Sequence, residues 1–418
     1  MTYTYKKNIE MMMRAARVVP NGVYGHLGPA EGCMIPMSAY PFFVSKAKGS
    51  EMWDVDGNRF IDYMCGYGPN ILGYGDPEVD AAAVAQMKKA NCTTLCADIM
   101  VDFAELLTDT VKKDWAFFCK NGGDVTSLAV LVARFYTGKP KIVFVDGYYH
   151  GVAPWTQRPD SPGTLEDDCK NRFQVRWNDV EQVRQLFEEH GKEIACFIAT
   201  PYMHGNFLDN ELPAEGYWKQ IRELCTKHEI ILIIDDIRCG FRLDTSGSDH
   251  YFGIEADLIT FCKALANGYP VSALCGKEFL KGAVASIPYT GSYWLQGIPF
   301  AAGIATLNKL KATDSVGYMK EMGERLGAGL TKTAKELNVP LHVSGAPSMF
   351  YLRIADPLGN FLLHQEWIAE CVKRGAFLTN HHNHFTNMSL TPELVDETIT
   401  IASEAMDIMV KNHPEIFR

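Results

Sequence analysis

"DLITFCKALANGYPVSALCG" occupies Asp257–Gly276. An apolar run of strand length, Leu258 to Phe261, leads directly to Cys262 and Lys263, and then to a loop containing Asn267, Gly268 and Pro270. A lysine so placed either snorkels its ammonium to water along an apolar stem or is a buried amine held for chemistry. The stretch alone leaves both readings open, and its surroundings must decide.

Runs of the same kind recur upstream: "KIVFVD" (141–146), "IACFIAT" (194–200) and "IILIIDD" (230–236). All lack polar alternation, as strands buried on both faces do. Between them, residues 124–138, 179–191 and 216–229 carry apolar side chains at helical spacing. This βαβ rhythm predicts an α/β fold with a mostly parallel central sheet in a large domain. The flanks read differently. Residues 49–63 form a hairpin pattern around Asp56-Gly57, 341–355 read as strands, and 391–410 as a final helix capped by Thr391. The expected organisation is an N-terminal segment (1–55) that joins a smaller α+β domain, a large domain over 56–306, and the rest of the small domain over 307–418.

The chain has 418 residues, 47% hydrophobic and 22% charged, with a formal net charge of -10. That length suits a large domain with a smaller one and a deep cleft between secondary elements. The acidity, and the lack of basic runs interleaved with aromatics, disfavour nucleic-acid binding. Twelve cysteines are scattered with no C-x-x-C pair, which fits thiols in a reducing compartment rather than a zinc site. The first twenty residues contain no apolar stretch of signal-peptide length, and no segment has the length and apolarity of a membrane span. We therefore expect a cytoplasmic protein, with the basic N-terminus as an amphipathic helix at the surface or a partner interface.

In open α/β sheets ligands collect at the carboxyl ends of the strands. Asp235 and Asp236 end one predicted strand and Lys263 follows the next; "NGGD" (Asn121–Asp124) opens a helix, and "YYHG" (Tyr148–Gly151) follows another strand. A P-loop ATPase would need G-x-x-x-x-G-K-[ST], which is absent, and "GYGPNILGYGD" (66–76) misses the nicotinamide spacing. An aldehyde cofactor with a phosphate and a pyridine ring wants all of these parts: a glycine-rich helix start for the phosphate, a lysine for a Schiff base, a carboxylate for the ring nitrogen, and an aromatic for the ring face.

"LIIDDIRCGFR" (232–242) resembles the D-E-[VI]-x-x-G-F-R stretch of class III pyridoxal-phosphate aminotransferases, and the opening stretch is similar to their lysine segment, 28 residues on from Asp235 to Lys263. "FCKNGGDVTSLAVLVAR" (118–134), "DGYYHG" (146–151) and "WDVDGNRFIDY" (53–63) look like further family segments. Within the class, the length and "YTGKPKIVFVDGYYHG" (136–151) most resemble the glutamate-1-semialdehyde aminomutase-like branch. The resemblance implies the fold type I, aspartate-aminotransferase-like architecture, pyridoxal 5′-phosphate as cofactor, and a homodimer with shared active sites.

It also implies roles. Lys263 is the Schiff-base lysine and proton-transferring base, and Asp235 the partner of the protonated ring nitrogen, a charge-assisted contact of about 1.5–3 kcal/mol. Gly122, Gly123 and Asp124 hold the phosphate. Tyr149 stacks on one ring face, with Tyr148 as competitor, and Ile237 packs on the other. Asn206 lies near the ring hydroxyl, and Ser292 reaches the phosphate of the neighbouring subunit.

Substrate recognition departs from the branch. "PNGVYGHLGPA" (20–30) contains no arginine where the aminomutases place one for the substrate carboxylate. His26 and Arg238 are the candidate replacements, Arg238 being equally able to pair with Asp236. In "NHHNHFTN" (380–387) the histidine spacing is unlike H-E-x-x-H, so a polar pocket wall is expected rather than a metal site, with His382 and His384 on one strand face. The favoured activity is amino transfer from a small-molecule amino acid or amine to a carbonyl acceptor. The alternative is an isomerase, aminomutase or racemase, using the same lysine. A binding protein with a vestigial fold would need Lys263 or Asp235 to be lost, and both are present.

Overall fold

The computed structural model describes residues 2–23, 39–355, 359 and 361–417. The chain divides into two compact units. One holds the described residues up to Asp76, the segment His204–Asn210 and the chain from Gly317 onward; the other holds Pro77–Met203 and Glu211–Val316.

In the first unit Val44–Lys48 (β1), Glu51–Asp54 (β2) and Arg59–Asp62 (β3) make an antiparallel meander. At the β2–β3 turn, Asp54 Oδ1 accepts the N–H groups of Asp56 at 3.0 Å and Asn58 at 2.8 Å. Gly57 there takes φ +90°, a conformation that a Cβ disfavours.

The second unit is built on a seven-stranded sheet of Trp115–Cys119 (β4), Lys141–Val145 (β5), Arg172–Val175 (β6), Ile194–Ala199 (β7), Ile231–Asp235 (β8), Leu258–Phe261 (β9) and Ser272–Gly276 (β10), in the order β4-β10-β9-β8-β7-β5-β6. The five strands from β6 to β9 are mutually parallel, and β10 runs antiparallel to β9 and β4. Every residue of β7, β8, β9 and β10 is buried, which explains why their sequences show no alternation: both faces are covered. The helix Gly122–Thr137 packs Leu128 and Val132 against Ile142, Ile198, Ile233 and Leu274 of the sheet. Because the central strands are parallel, the ends of β5, β7, β8 and β9 open on one edge of the sheet.

The chain returns to the first unit as the hairpin Leu341–Ala346 (β11) and Met349–Ile354 (β12), and Ala376–Phe377 (β13) adds parallel to β3. The last helix, Pro392–Asn412, begins where the Thr391 side chain accepts the Leu394 N–H at 3.3 Å. Phe60, Tyr63, Leu326, Trp367, Val395 and Met406 form the core of this unit.

Two expectations differ from what is found. The seams fall at Asp76/Pro77 and Val316/Gly317 rather than near 55 and 306. Pairing of β3 with β2 and β13 keeps residues 59–62 in the first unit, while the helix Gly297–Ala312 packs on the helices Pro77–Lys89 and Ile99–Val111 and so belongs to the second. Residues 380–387 form no strand, so His382 and His384 do not share a strand face. This segment exchanges single hydrogen bonds with several neighbours instead of a ladder: His384 N–H with Phe350 O at 2.7 Å, Phe385 N–H with Tyr63 O at 2.7 Å, and Thr386 N–H with Ser348 O at 3.2 Å. Among the described residues no helix is long and apolar enough to cross a membrane, and the cysteines are free.

Candidate active site

Lys263 follows β9 across Cys262 and has a φ of +35°, left-handed backbone that a non-glycine residue adopts only when its surroundings impose it. Its neighbour Ala264 and the rest of the short turn to Ala266 are buried, while Lys263 keeps partial contact with solvent. No described residue pairs with its amine. Protein packed around the group removes water from it, and the Arg238 charge repels a second cation, so the ammonium is held down to about 7. An amine that is half neutral near physiological pH is a nucleophile and a base.

One strand over, Asp235 ends β8 at 3% exposure. Its Oδ2 lies 2.7 Å from His150 Nδ1, and its Oδ1 accepts the Ile237 N–H at 3.2 Å. His150 is buried too, its carbonyl accepting Thr126 Oγ1 at 2.7 Å and its ring stacked on Trp155 at 6.4 Å between centroids. Sequence reading passed over His150, although it sits inside the "YYHG" segment; its only signal was a polar ring just past a strand end. Asp236, by contrast, points away into a structural role, accepting the Ser248 N–H at 2.8 Å, and burial pushes its carboxyl well above the usual range.

The helix Gly122–Thr137 begins beside this pair. The Asp124 carboxylate turns back to accept the Asn121 N–H at 2.8 Å, and the Asp124 N–H donates to Asn121 O at 3.1 Å. Its polar groups are therefore engaged in the cap, which leaves the Gly122 and Gly123 N–H groups, and the positive end of the helix, to meet an anion. Space is tight around them. A Cβ on Gly122 would come 2.8 Å from Ile237 Cδ1, and one on Gly151, at φ +111°, would come 2.7 Å from Gly123 Cα. Of the two neighbouring tyrosines, Tyr149 is 61% exposed, whereas Tyr148 is half-buried, edge-on to Trp177 at 5.9 Å. Arg238 is buried in the turn after β8, near Asp235, Tyr202 and Tyr149.

Ser292 is exposed in a turn before the helix Gly297–Ala312, its carbonyl 3.8 Å from Cys92 Sγ. Asn206 and His382 belong to the first unit. Asn206 is exposed; His382 is buried edge-on to Tyr67 at 5.2 Å, its Nδ1 2.7 Å from Asn383 O. His26 lies outside the described residues. No group of three His, Cys, Asp or Glu among the described residues is placed to hold a metal.

The class III aminotransferase family model, "Aminotransferase class-III", matches residues 35–157 and 159–412. The chain belongs to the class III aminotransferases. It is 36% identical over 404 residues to the aminopentol aminotransferase of Sphingopyxis macrogoltabida, covering 96% of this chain and 94% of that one. The 3-aminobutyryl-CoA aminotransferase of Cloacimonas acidaminovorans is 31% identical, covering 96% of each chain. Among solved structures, the FumI protein of Sphingopyxis sp. MTA144, in its pyridoxal-phosphate internal-aldimine form, superimposes with a TM-score of 0.93 at 35% identity over 99% of this chain and 98% of that one. The protein is thus a pyridoxal-phosphate-dependent aminotransferase of fold type I, and its cofactor is pyridoxal 5′-phosphate. The residues present fit that group: an unpaired amine, a buried carboxylate on an adjacent strand, and a glycine cradle with free N–H groups.

Proposed function

We propose that Lys263 is the lysine that binds the cofactor and then shuttles the substrate proton, with Asp235 facing the ring nitrogen and His150 holding Asp235 in place. Bound pyridoxal phosphate supplies an aldehyde that captures amines and a protonated ring that accepts electron density. The observation that carries the assignment is the Lys263 amine, without a described partner in the turn just past the strand next to Asp235, and held down to about 7 there by burial and by Arg238. The Gly122 and Gly123 N–H groups would hold the phosphate, Tyr149 and Ile237 would enclose the ring, and the Lys263 Nζ would take the proton from the substrate carbon and return it.

The donor we propose carries its amine on a carbon chain without an adjacent free carboxylate. Two considerations support this. The relatives are named for an aminopentol and for 3-aminobutyryl-CoA, and the 20–30 segment has no arginine for an α-carboxylate. A panel of amines and α-amino acids, assayed for loss of the amino group with pyruvate as acceptor, tests it: comparable kcat/KM for α-amino acids and chain amines would count against this donor class.

We further propose a cytoplasmic homodimer in which Ser292 serves the partner's phosphate. The exposed Leu95 (80%) and Tyr293 (64%), close in sequence to Cys92 and Ser292, support an association surface there. Sedimentation that finds only monomer in the cofactor-saturated protein would overturn the dimer.

A further inference from the structure

His150 meets Asp235 through one atom only. Its Nδ1 lies 2.7 Å from Asp235 Oδ2, while its Nε2 is buried and has no hydrogen-bond partner among the described residues. A single hydrogen bond fixes a distance but leaves a ring free to tilt about it. The plane of this imidazole is therefore set by what packs on its faces.

The Trp155 indole lies on one of them. The two rings are 18° from parallel with centroids 6.4 Å apart, and the edge of Tyr148 meets the imidazole at 6.0 Å and 76°. Aromatic pairs at such spacings attract and orient one another. Trp155 is itself held at both ends. Its Nε1 donates to Ser127 Oγ at 3.1 Å, and its carbonyl accepts Arg172 Nη1 at 2.8 Å. It sits in the short turn Pro154–Thr156, where Thr156 Oγ1 donates to Gly151 O at 2.9 Å, and its ring packs on the core that covers the sheet.

One helix organises this bracket. Gly122–Thr137 offers Gly122 and Gly123 at its start; a turn later Thr126 Oγ1 donates to His150 O at 2.7 Å, and Ser127 accepts the indole N–H. The same helix thus carries the glycine cradle and, through residues 150–156, sets the ring that meets Asp235.

We propose that Trp155 is a positioning residue that acts on Asp235 through His150: its indole, pinned by Ser127, holds the imidazole in the plane from which Nδ1 reaches the carboxylate. The proposal rests on the reading of His150 and Asp235 given above. The role requires no contact of Trp155 with cofactor or substrate, so loss of the ring slows turnover of bound donor and leaves donor binding alone.

The test is a double-mutant cycle: kcat and KM for the wild type, W155L, H150Q and W155L/H150Q, each saturated with cofactor. W155L is expected to lower kcat about 3- to 10-fold, the equivalent of one aromatic contact, with little change in the donor's KM. The double variant should be no slower than H150Q alone, because no imidazole then remains to orient. W155F, which keeps a ring over the imidazole, should recover most of the rate. Losses that multiply in the double variant overturn the proposal, as does a wild-type kcat in W155L beside an impaired H150Q. Should W155L fail to fold, S127A, which frees the indole without removing it, enters the same cycle and decides by the same criterion. A wild-type kcat in H150Q would instead refute the reading of His150 itself, which keeps the two failures apart.

Discussion

His150 Nδ1 and Asp235 Oδ2 lie 2.7 Å apart, both side chains buried, at the ends of strands that have β7 between them. The imidazole reaches across the end of β7 to fix one carboxylate oxygen, while the Ile237 N–H fixes the other at 3.2 Å. Asp235 is therefore oriented before any ligand arrives, as the role proposed for it, facing one point of a ring, would require.

If His150 only orients, then His150→Gln should keep the fold and the cofactor but lower kcat about 10- to 100-fold, the equivalent of the ~1.5–3 kcal/mol of a hydrogen bond to a charged group. Asp235→Asn should cost several orders of magnitude more. Steady-state kinetics on the two variants with equal cofactor content makes the comparison, and equal losses would mean that the histidine has its own chemical role.

The amine of Lys263, held down to about 7 by burial and by Arg238, gives the apoprotein a pH signature. Below pH 7 it is mostly ammonium and unreactive; above, it is free base. The rate of cofactor capture by apoprotein should rise through about pH 7 and level off above it. Stopped-flow mixing at several pH values would show this, and a rise centred near the ordinary lysine value of about 10.4 would contradict the buried-amine reading.

The glycine cradle predicts sensitivity where no charge is involved. At Gly151 a Cβ meets backbone, Gly123 Cα at 2.7 Å, and the φ is +111°. Gly151→Ala should weaken cofactor affinity by about 10-fold or more and cost the fold roughly 1–3 kcal/mol, measured by equilibrium dialysis and urea unfolding of the apoprotein. An unchanged dissociation constant would remove Gly151 from the phosphate site.

Stability should fall in mild acid because of two histidines in the other unit. Burial lowers His364 to about 4 and His384 to about 3, the latter also repelled by His364 and His381. Unfolded histidine binds a proton near 6.5, so below that pH the unfolded chain holds more protons than the folded one. The stabilising effect is complete above about pH 6.5 and is lost as pH falls towards 4, at up to ~1.4 kcal/mol per pH unit for each group. Urea melts from pH 7.5 to 4.5 on the wild type and on His384→Gln should show a shallower slope in the variant; parallel slopes would mean that other groups carry the acid sensitivity.

Much of this was legible in the chain itself, for a physical reason. Strands such as Ile231–Asp235, covered on both faces, write an unbroken apolar run, and the polar residue that ends such a run stands at the ligand edge of a parallel sheet. Asp235 and Lys263 stand out as site candidates on those grounds. His150 was not, because its value lies in a partner 85 positions away that only the folded sheet brings to it. The histidines of 380–387 misled in the opposite sense: polar letters at alternate positions suggested a strand face, yet His384 is packed on Phe350 at 5.4 Å with its Nε2 accepting the Thr379 N–H at 3.0 Å. Local pattern carries no record of such distant partners. Asp124 shows the same limit on a smaller scale, its carboxylate being absorbed by the helix cap rather than offered to a ligand.

The most direct measurement is a half-reaction: holoenzyme in heavy water, mixed with an amine donor and no acceptor, with the visible spectrum and the donor's deuterium content followed together. Wild-type protein should convert its visible band to the pyridoxamine form in an amount equal to the carbonyl product released, and Lys263→Ala should show at least a thousandfold loss of that rate, about 4 kcal/mol of barrier. Deuterium uptake by the donor with the band retained and no carbonyl product would contradict amino transfer and make the enzyme an isomerase.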